Sequence, residues 1–211
     1  VPALSVFLGT DLNDFDKFTE VPKLSKSNNE LWLVYIGTLG HNYDLTTVID
    51  SLRILSKEKS INNIKFIVIG DGPLRKKFEI YARKKQINFH FFGNLNYGKM
   101  VSILKMCDIA VNPITKGAAG SIINKVADYA AAALPVINTQ ESEEYRKLVI
   151  DYNIGFNCEN GNAKDVAEKI LKLYNNEVLR RQLGDNNRAL AEAFFDRRKT
   201  YQKIINLITN I

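Results

Sequence analysis

Apolar residues in this chain come in short unbroken runs, and most runs are followed by a stretch with helical spacing. LWLVYI, opening at Leu31 and closed by Gly37, has the length and continuity of a buried strand. Beyond GTLGHNY, residues Leu45, Val48, Ile49, Leu52 and Leu55 recur at i, i+3, i+4 and i+7, predicting a helix from about Asp44 with that aspartate as its N-cap. KFIVI predicts a second strand, stopped by GDGP. Pro73 then suits a first helical position, and Leu74, Phe78, Tyr81 and Ala82 form one apolar stripe. NFHFF predicts a third strand, ended by Gly93; a helix around 99–106 and a strand over 108–112 follow. Residues 116–138, KGAAGSIINKVADYAAAALPVIN, read as a Gly/Ala-rich loop, a helix opening near Ser121, a turn and a buried strand from Pro135. The remainder predicts a helix over 143–149, a strand over 154–157, a strongly amphipathic helix over 163–174, and helices over 177–193 and 196–208. Residues 1–29 lack periodicity; VFLGTDLNDFDKF there reads as a short strand, a turn and an acidic loop, a lead-in rather than a core element.

Strands that are apolar throughout, each followed by a helix, indicate an α/β fold. The predicted architecture is a doubly wound, Rossmann-like parallel sheet of about six strands covered on both faces. Ligands of such sheets sit beyond the C-terminal strand ends, near the topological switch point. The candidate ligand loops are therefore 37–43, 70–73, 92–96 and 113–121, all of which contain glycine.

Composition narrows the partners. The 211 residues carry a net charge of +6 and two cysteines, Cys107 and Cys158, which read as core filling in a cytosolic protein. No apolar run reaches membrane-spanning length, no signal peptide is visible, and the first residue, Val1, predicts a start inside a longer reading frame or a trimmed chain. Basic residues gather at Arg75, Lys76, Lys77, Arg83, Lys84 and Lys85 and at Arg197, Arg198 and Lys199. They read either as solvated helix faces or as an attraction for anionic lipid or polyphosphate. No nucleic-acid module signature accompanies them.

Several chemistries are unsupported. His41 and His90 lack metal-ligand companions, so no metal site and no cofactor are expected. There is no G-x-S-x-G elbow for a serine nucleophile. GDGP lacks the third glycine of a dinucleotide fingerprint, since Arg75 stands there, although Asp71 and Gly72 remain candidates to line the cleft. His90 alternates within its strand and reads as structural, whereas His41 lies in the first cleft loop, where it can donate to a phosphate. The stretch 116–138 carries the strongest signal. Small residues feeding a helix N-terminus suit an anion, because the first helix N–H groups lack partners and the macrodipole adds about 0.3–1 kcal/mol. Lys125 and Asp128, three residues apart, share a face there, a cation for a phosphate beside a carboxylate for a sugar hydroxyl.

The ordered series LSVFLGTDLNDF, LVYIGTLG, KFIVIGDGPLRKKFE, INFHFFGNL, CDIAVNP, NKVADYAAAALPVINT and IGFNCENGNAKDVAEKI resembles the C-terminal half of the group 1 retaining GT-B glycosyltransferases, which build capsular polysaccharide and O-antigen. The resemblance covers nearly the whole chain. It implies residues 1–29 as an interdomain hinge, 30–195 as the nucleotide-sugar-binding domain, and 196–211 as a helix returning toward an N-terminal, acceptor-binding domain. It implies that Phe92, Gly93 and Asn94 read the base and that Asp128 holds the ribose hydroxyls. Gly117, Gly120, Ser121 and Ile122 would meet the diphosphate, with Gly37, Thr38, Gly40 and His41 lining the cleft and Lys125 as the catalytic cation. Four positions depart from the family pattern: Gly120 for an acidic residue, Thr38 and Tyr43 for an arginine and a lysine, and Ala133 for the glycine of a turn. The implied activity is hexosyl transfer from a nucleotide-diphosphate sugar, UDP rather than GDP, to a glycan or lipid-linked acceptor, in the cytoplasm or at the inner face of the plasma membrane. A noncatalytic scaffolding module of a polysaccharide-assembly complex is the alternative, and a nucleotide-sugar epimerase ranks last.

Overall fold

In a computed structural model, which describes residues 6–18, 24–118 and 121–209, the apolar runs form one six-stranded sheet. Its strands are β1 (Leu31–Ile36), β2 (Ile64–Ile69), β3 (Asn88–Gly93), β4 (Ile109–Asn112), β5 (Val136–Asn138) and β6 (Gly155–Asn157). All neighbours run parallel, in the order β3-β2-β1-β4-β5-β6. A parallel sheet needs crossover helices, and these bury both faces. β1 shows the result: Trp32, Val34 and Ile36 enter one apolar layer while Leu31, Leu33 and Tyr35 enter the other.

The helices are α1 (Leu12–Lys17), α2 (Leu45–Lys59), α3 (Arg75–Lys85), α4 (Tyr97–Leu104), α5 (Lys125–Ala131), α6 (Glu143–Asp151), α7 (Ala163–Asn175), α8 (Glu177–Leu190) and α9 (Arg197–Thr209). Asp44 caps α2 as expected, accepting from the Thr47 N–H. A π-helical turn, Ala191–Phe195, separates α8 from α9.

Three expectations need correction. The acidic loop near the start is the helix α1, capped by Asp11, and it belongs to the core: Leu12 and Phe15 are buried. Its asparagine and aspartates face water, so two apolar side chains carry the packing. α3 begins at Arg75, because residues 73–74 form a turn in which the Leu74 N–H bonds to the Leu39 carbonyl. α5 begins at Lys125, one turn later than Ser121, because Ile122 and Ile123 pack against the core in irregular backbone.

The last residues of β4, β5 and β6 are asparagines in register: Asn112, Asn138 and Asn157. They form an amide ladder, Asn112 Nδ2 donating to Asn138 Oδ1 (2.9 Å) and Asn138 Nδ2 to Asn157 Oδ1 (2.8 Å). Asn138 is fully buried and also accepts from the Gln140 N–H. Asn138→Ala is expected to destabilise the protein by about 2–3 kcal/mol in denaturant titration, because the buried Asn112 and the half-buried Asn157 both lose their bonds.

Candidate functional site

The strand order reverses between β1 and β4, and these strands pair over only two positions before diverging. The gap between them is a ready-made crevice. Tyr129 of α5 stitches it: its hydroxyl accepts from the Ile36 N–H of β1 (3.0 Å) and donates to the Val111 carbonyl of β4 (3.2 Å). Above the gap the two loops join again, through Asp44 N–H to the Pro113 carbonyl and Thr115 N–H to the Asn42 carbonyl.

Lys125 lies one turn before Tyr129, on the same helix face, and so projects at the mouth of this crevice. Its Nζ donates to the Tyr35 hydroxyl (3.0 Å) and sits 4.2 Å from the Tyr35 ring centre and 3.8 Å from that of Tyr43. Tyr35 in turn donates to the Thr38 carbonyl (2.6 Å), which fixes the hydroxyl's direction. The Tyr35 hydroxyl and the two rings are the partners the ammonium has, and no carboxylate faces it, among the described residues. Burial pushes its pKa down to about 7.

Two glycines make room for that cation. A side chain at Gly37 would place its Cβ 2.7 Å from Lys125 Nζ, and at Gly70 one would lie 2.0 Å from the Gly37 carbonyl oxygen. Both residues have positive φ (130° and 135°). The glycine loops thus stack on one another: Gly37 N–H bonds to the Ile69 carbonyl and Gly70 N–H to the Gly93 carbonyl.

Asp128, also on α5, faces a different neighbourhood. Its Oδ1 accepts from the Tyr97 hydroxyl (2.9 Å), and burial raises its carboxyl pKa against the opposing pull of Tyr97, Thr10 and the Arg197 charge. The carboxylate borders a cleft of about 460 Å³ that Thr10, Phe18, Asn124 and Arg197 also line. Lys125 and Asp128 therefore share a helix face but open toward separate spaces, the switch point and this cleft.

The other predicted positions divide. Thr38, His41, Asn94 and Ser121 are exposed around the strand ends, with Gly40 and Ile122 half-buried. His41 anchors its loop through its carbonyl, which accepts from the Thr115 hydroxyl, leaving the imidazole at the surface. Asp71 is spent locally: it accepts from the Gly72 N–H and pairs with Arg75 (3.0 Å), and these bonds hold its carboxyl below the usual range. Gly72 packs against the Leu39 backbone, and Gly93 beside the Arg75 guanidinium. Phe92 packs on the core, its ring in tilted contact with that of the exposed His90 (centres 4.1 Å apart). His90 thus sits at the surface of an edge strand and has no structural role in the interior. Gly117 N–H reaches Glu141 (3.3 Å), and Gly120 lies outside the described residues. Sequence reasoning missed Tyr35, Tyr97, Tyr129 and Thr10 as site residues. Tyr35 and Tyr129 sit in apolar stretches where they pass for core, Tyr97 and Thr10 sit among polar residues that give no site signal, and only the fold brings Tyr35 to Lys125 and Tyr97 and Thr10 to Asp128.

Both cysteines are buried and free, and among the described residues no three His, Cys, Asp or Glu side chains form a metal-binding group. No described helix is long and apolar enough to cross a membrane.

The family model for glycosyl transferases group 1 matches residues 16–190. The chain belongs to this family. The group 1 domain is 28% identical over 162 residues to the uncharacterized glycosyltransferase MJ1178 of Methanocaldococcus jannaschii, covering 76% of this chain and 43% of that protein. It is 26% identical over 169 residues to the putative glycosyltransferase EpsD of Bacillus subtilis, covering 79% and 42%. It thus spans about half the length of these relatives. Among solved structures, Anabaena HepE in complex with UDP superposes on 98% of this chain and 57% of its own, with a TM-score of 0.81 at 16% identity. WaaG, a glycosyltransferase involved in lipopolysaccharide biosynthesis, covers 87% and 48% with a TM-score of 0.72 at 24% identity. At such identities the likeness establishes the fold, one Rossmann-like half of a GT-B architecture.

Proposed function

We propose that this group 1 domain binds a nucleoside-diphosphate sugar, UDP as the carrier, and that Lys125 is the cation on its diphosphate. The observation that carries the reading is a half-buried ammonium at the switch point with aromatic neighbours and, among the described residues, no acidic partner. An ammonium held in that way gains most from a ligand that brings negative charge. Asp128 takes the ribose hydroxyls, and the backbone at Gly93 and Asn94 meets the base. As the glycosidic bond breaks, charge develops on the departing diphosphate, and a fixed cation there stabilises the transition state without reorganisation. Lys125 in this way takes over the charge that Thr38 and Tyr43 do not supply, and the Tyr43 ring becomes part of its seat.

The reading extends to the whole protein. The domain supplies the donor half of a hexosyltransferase of cell-surface polysaccharide synthesis. Its acceptor is a glycan or lipid-linked sugar presented at the inner face of the plasma membrane. The first segment and α9 form the junction with an acceptor-binding half.

Isothermal titration with UDP, UDP-glucose, GDP and ADP tests the donor assignment. UDP and its sugar are expected to bind, and Asp128→Asn to weaken UDP about tenfold through loss of charge-assisted bonds to the ribose. Absence of binding by every nucleoside diphosphate would overturn the reading.

A further inference from the structure

The Asp128 carboxylate does not stand alone. Tyr97, the first residue of α4, donates its hydroxyl proton to Asp128 Oδ1 and is bonded through the same oxygen to Thr10 Oγ1 (2.6 Å). A phenol has one proton. With that proton on Asp128, the Thr10 hydroxyl is the donor in the second bond, and the three groups form a directed relay from Thr10 to Tyr97 to Asp128. The direction leaves Oδ2 without a hydrogen bond from Tyr97.

Thr10 is itself held rigidly. Its N–H bonds to the Phe195 carbonyl (2.8 Å) and its carbonyl accepts from the Arg197 N–H (2.8 Å), a parallel bridge to Asp196 where the first segment and the start of α9 run side by side. Tyr97 is fixed by an edge-on contact with Phe18 (ring centres 5.8 Å apart), and Phe18 fills the space beside Gly98. The relay therefore starts on a clamped backbone and ends on the Asp128 carboxylate, whose Oδ1 Tyr97 holds and on which Thr10 also acts directly.

We infer that Tyr97 and Thr10 are positioning residues that hold Asp128 for a ribose diol and so set the preference for ribonucleotides over deoxyribonucleotides. The inference rests on the donor-binding reading. A carboxylate free to rotate about its last torsion would meet one hydroxyl or two with similar ease. A carboxylate with one oxygen pinned presents the other in one direction, where loss of a ribose hydroxyl leaves a buried acceptor unpaired.

The test compares UDP with 2′-deoxy-UDP by isothermal titration on wild-type protein, Tyr97→Phe and Thr10→Val. Wild type is expected to prefer UDP by at least tenfold. Tyr97→Phe keeps the ring and its contact with Phe18, removes only the hydroxyl, and is expected to reduce the preference at least fivefold. Thr10→Val, which removes the donor behind Tyr97, is expected to give an intermediate loss. A merely structural role would lower affinity for both nucleotides alike and leave their ratio unchanged. UDP binding with the wild-type ratio in both variants overturns the inference alone. Absence of UDP binding by the wild-type protein overturns the donor reading, and this inference with it.

Discussion

Lys125→Met is expected to weaken UDP binding about 10- to 100-fold at pH 7, the worth of one or two charge-assisted hydrogen bonds, and to raise the unfolding temperature in the same buffer. The two effects have one cause. The ammonium is held against the Tyr35 and Tyr43 rings with no carboxylate among the described residues to offset its desolvation, which lowers its pKa to about 7. In the unfolded chain a lysine titrates near 10.4. Between these values the unfolded state holds a proton that the native state has released, so stability rises with pH across the window from about 7 to 10.4. Below about 7 both states are protonated and the full cost of the buried cation is present. Methionine, unbranched and of similar length, removes that cost while filling the seat. Ligand affinity runs the other way. Diphosphate requires the charged lysine, so wild-type affinity is expected to fall about tenfold per pH unit above 7, with proton uptake visible as buffer-dependent heat. The methionine variant should show a flat profile over the same range. An equally steep profile in the variant, or unchanged affinity at pH 7, would remove Lys125 from the diphosphate.

Gly70→Ala is expected to cost about 3–5 kcal/mol, among the largest effects a single methyl group can have. The new Cβ would stand 2.0 Å from the Gly37 carbonyl oxygen, a backbone atom with no side-chain freedom to yield, and the φ of 135° is itself unfavourable for alanine. For a domain of this size each kcal/mol moves the melting temperature by about 2–4 °C, so a drop near 10 °C is the expected reading. Gly117→Ala is the control. It also has positive φ (72°), but its Cβ would meet nothing within 4 Å among the described residues, and about 1 kcal/mol is expected from backbone strain alone. If the two variants melt together, the close approach of the cleft loops is not what Gly70 provides.

The sheet was legible because its central strands are buried on both faces, which leaves continuous apolar runs such as LWLVYI and KFIVI that no other element of that length explains. α1 was not, since Leu12 and Phe15 are too few to show a period among four acidic or amide neighbours. Ser121 looked like a helix start because serine is a good cap, but tertiary packing of Ile122 and Ile123 outweighed that local preference. The positions of Lys125 and Asp128 could be named from sequence, whereas their surroundings could not. Tyr35 is 90 residues from Lys125, and Thr10 is 87 from Tyr97. Contacts of that span follow from strand order, which spacing along the chain does not encode. The consequence for function was a shift in weight from the helix N-terminus to the lysine side chain.

The clasp between the first segment and the last helices has a consequence for how the protein is made. Asp16 waits for Arg188, 172 residues later, and Thr10 for the backbone around Phe195 and Arg197. At a ribosomal rate of about 5–20 residues per second, the emerged α1 spends about ten to thirty seconds without these partners. Lys105, which donates to the Phe15 carbonyl (2.9 Å) and lies over its ring, emerges earlier, once β1, β2 and β3 can pair, so α1 has part of its seat before the clasp closes. The segment that orients Asp128 thus precedes the rest of this domain out of the ribosome and is among the last of its elements to complete its docking, and Asp128 acquires its final geometry only when synthesis has passed the start of α9.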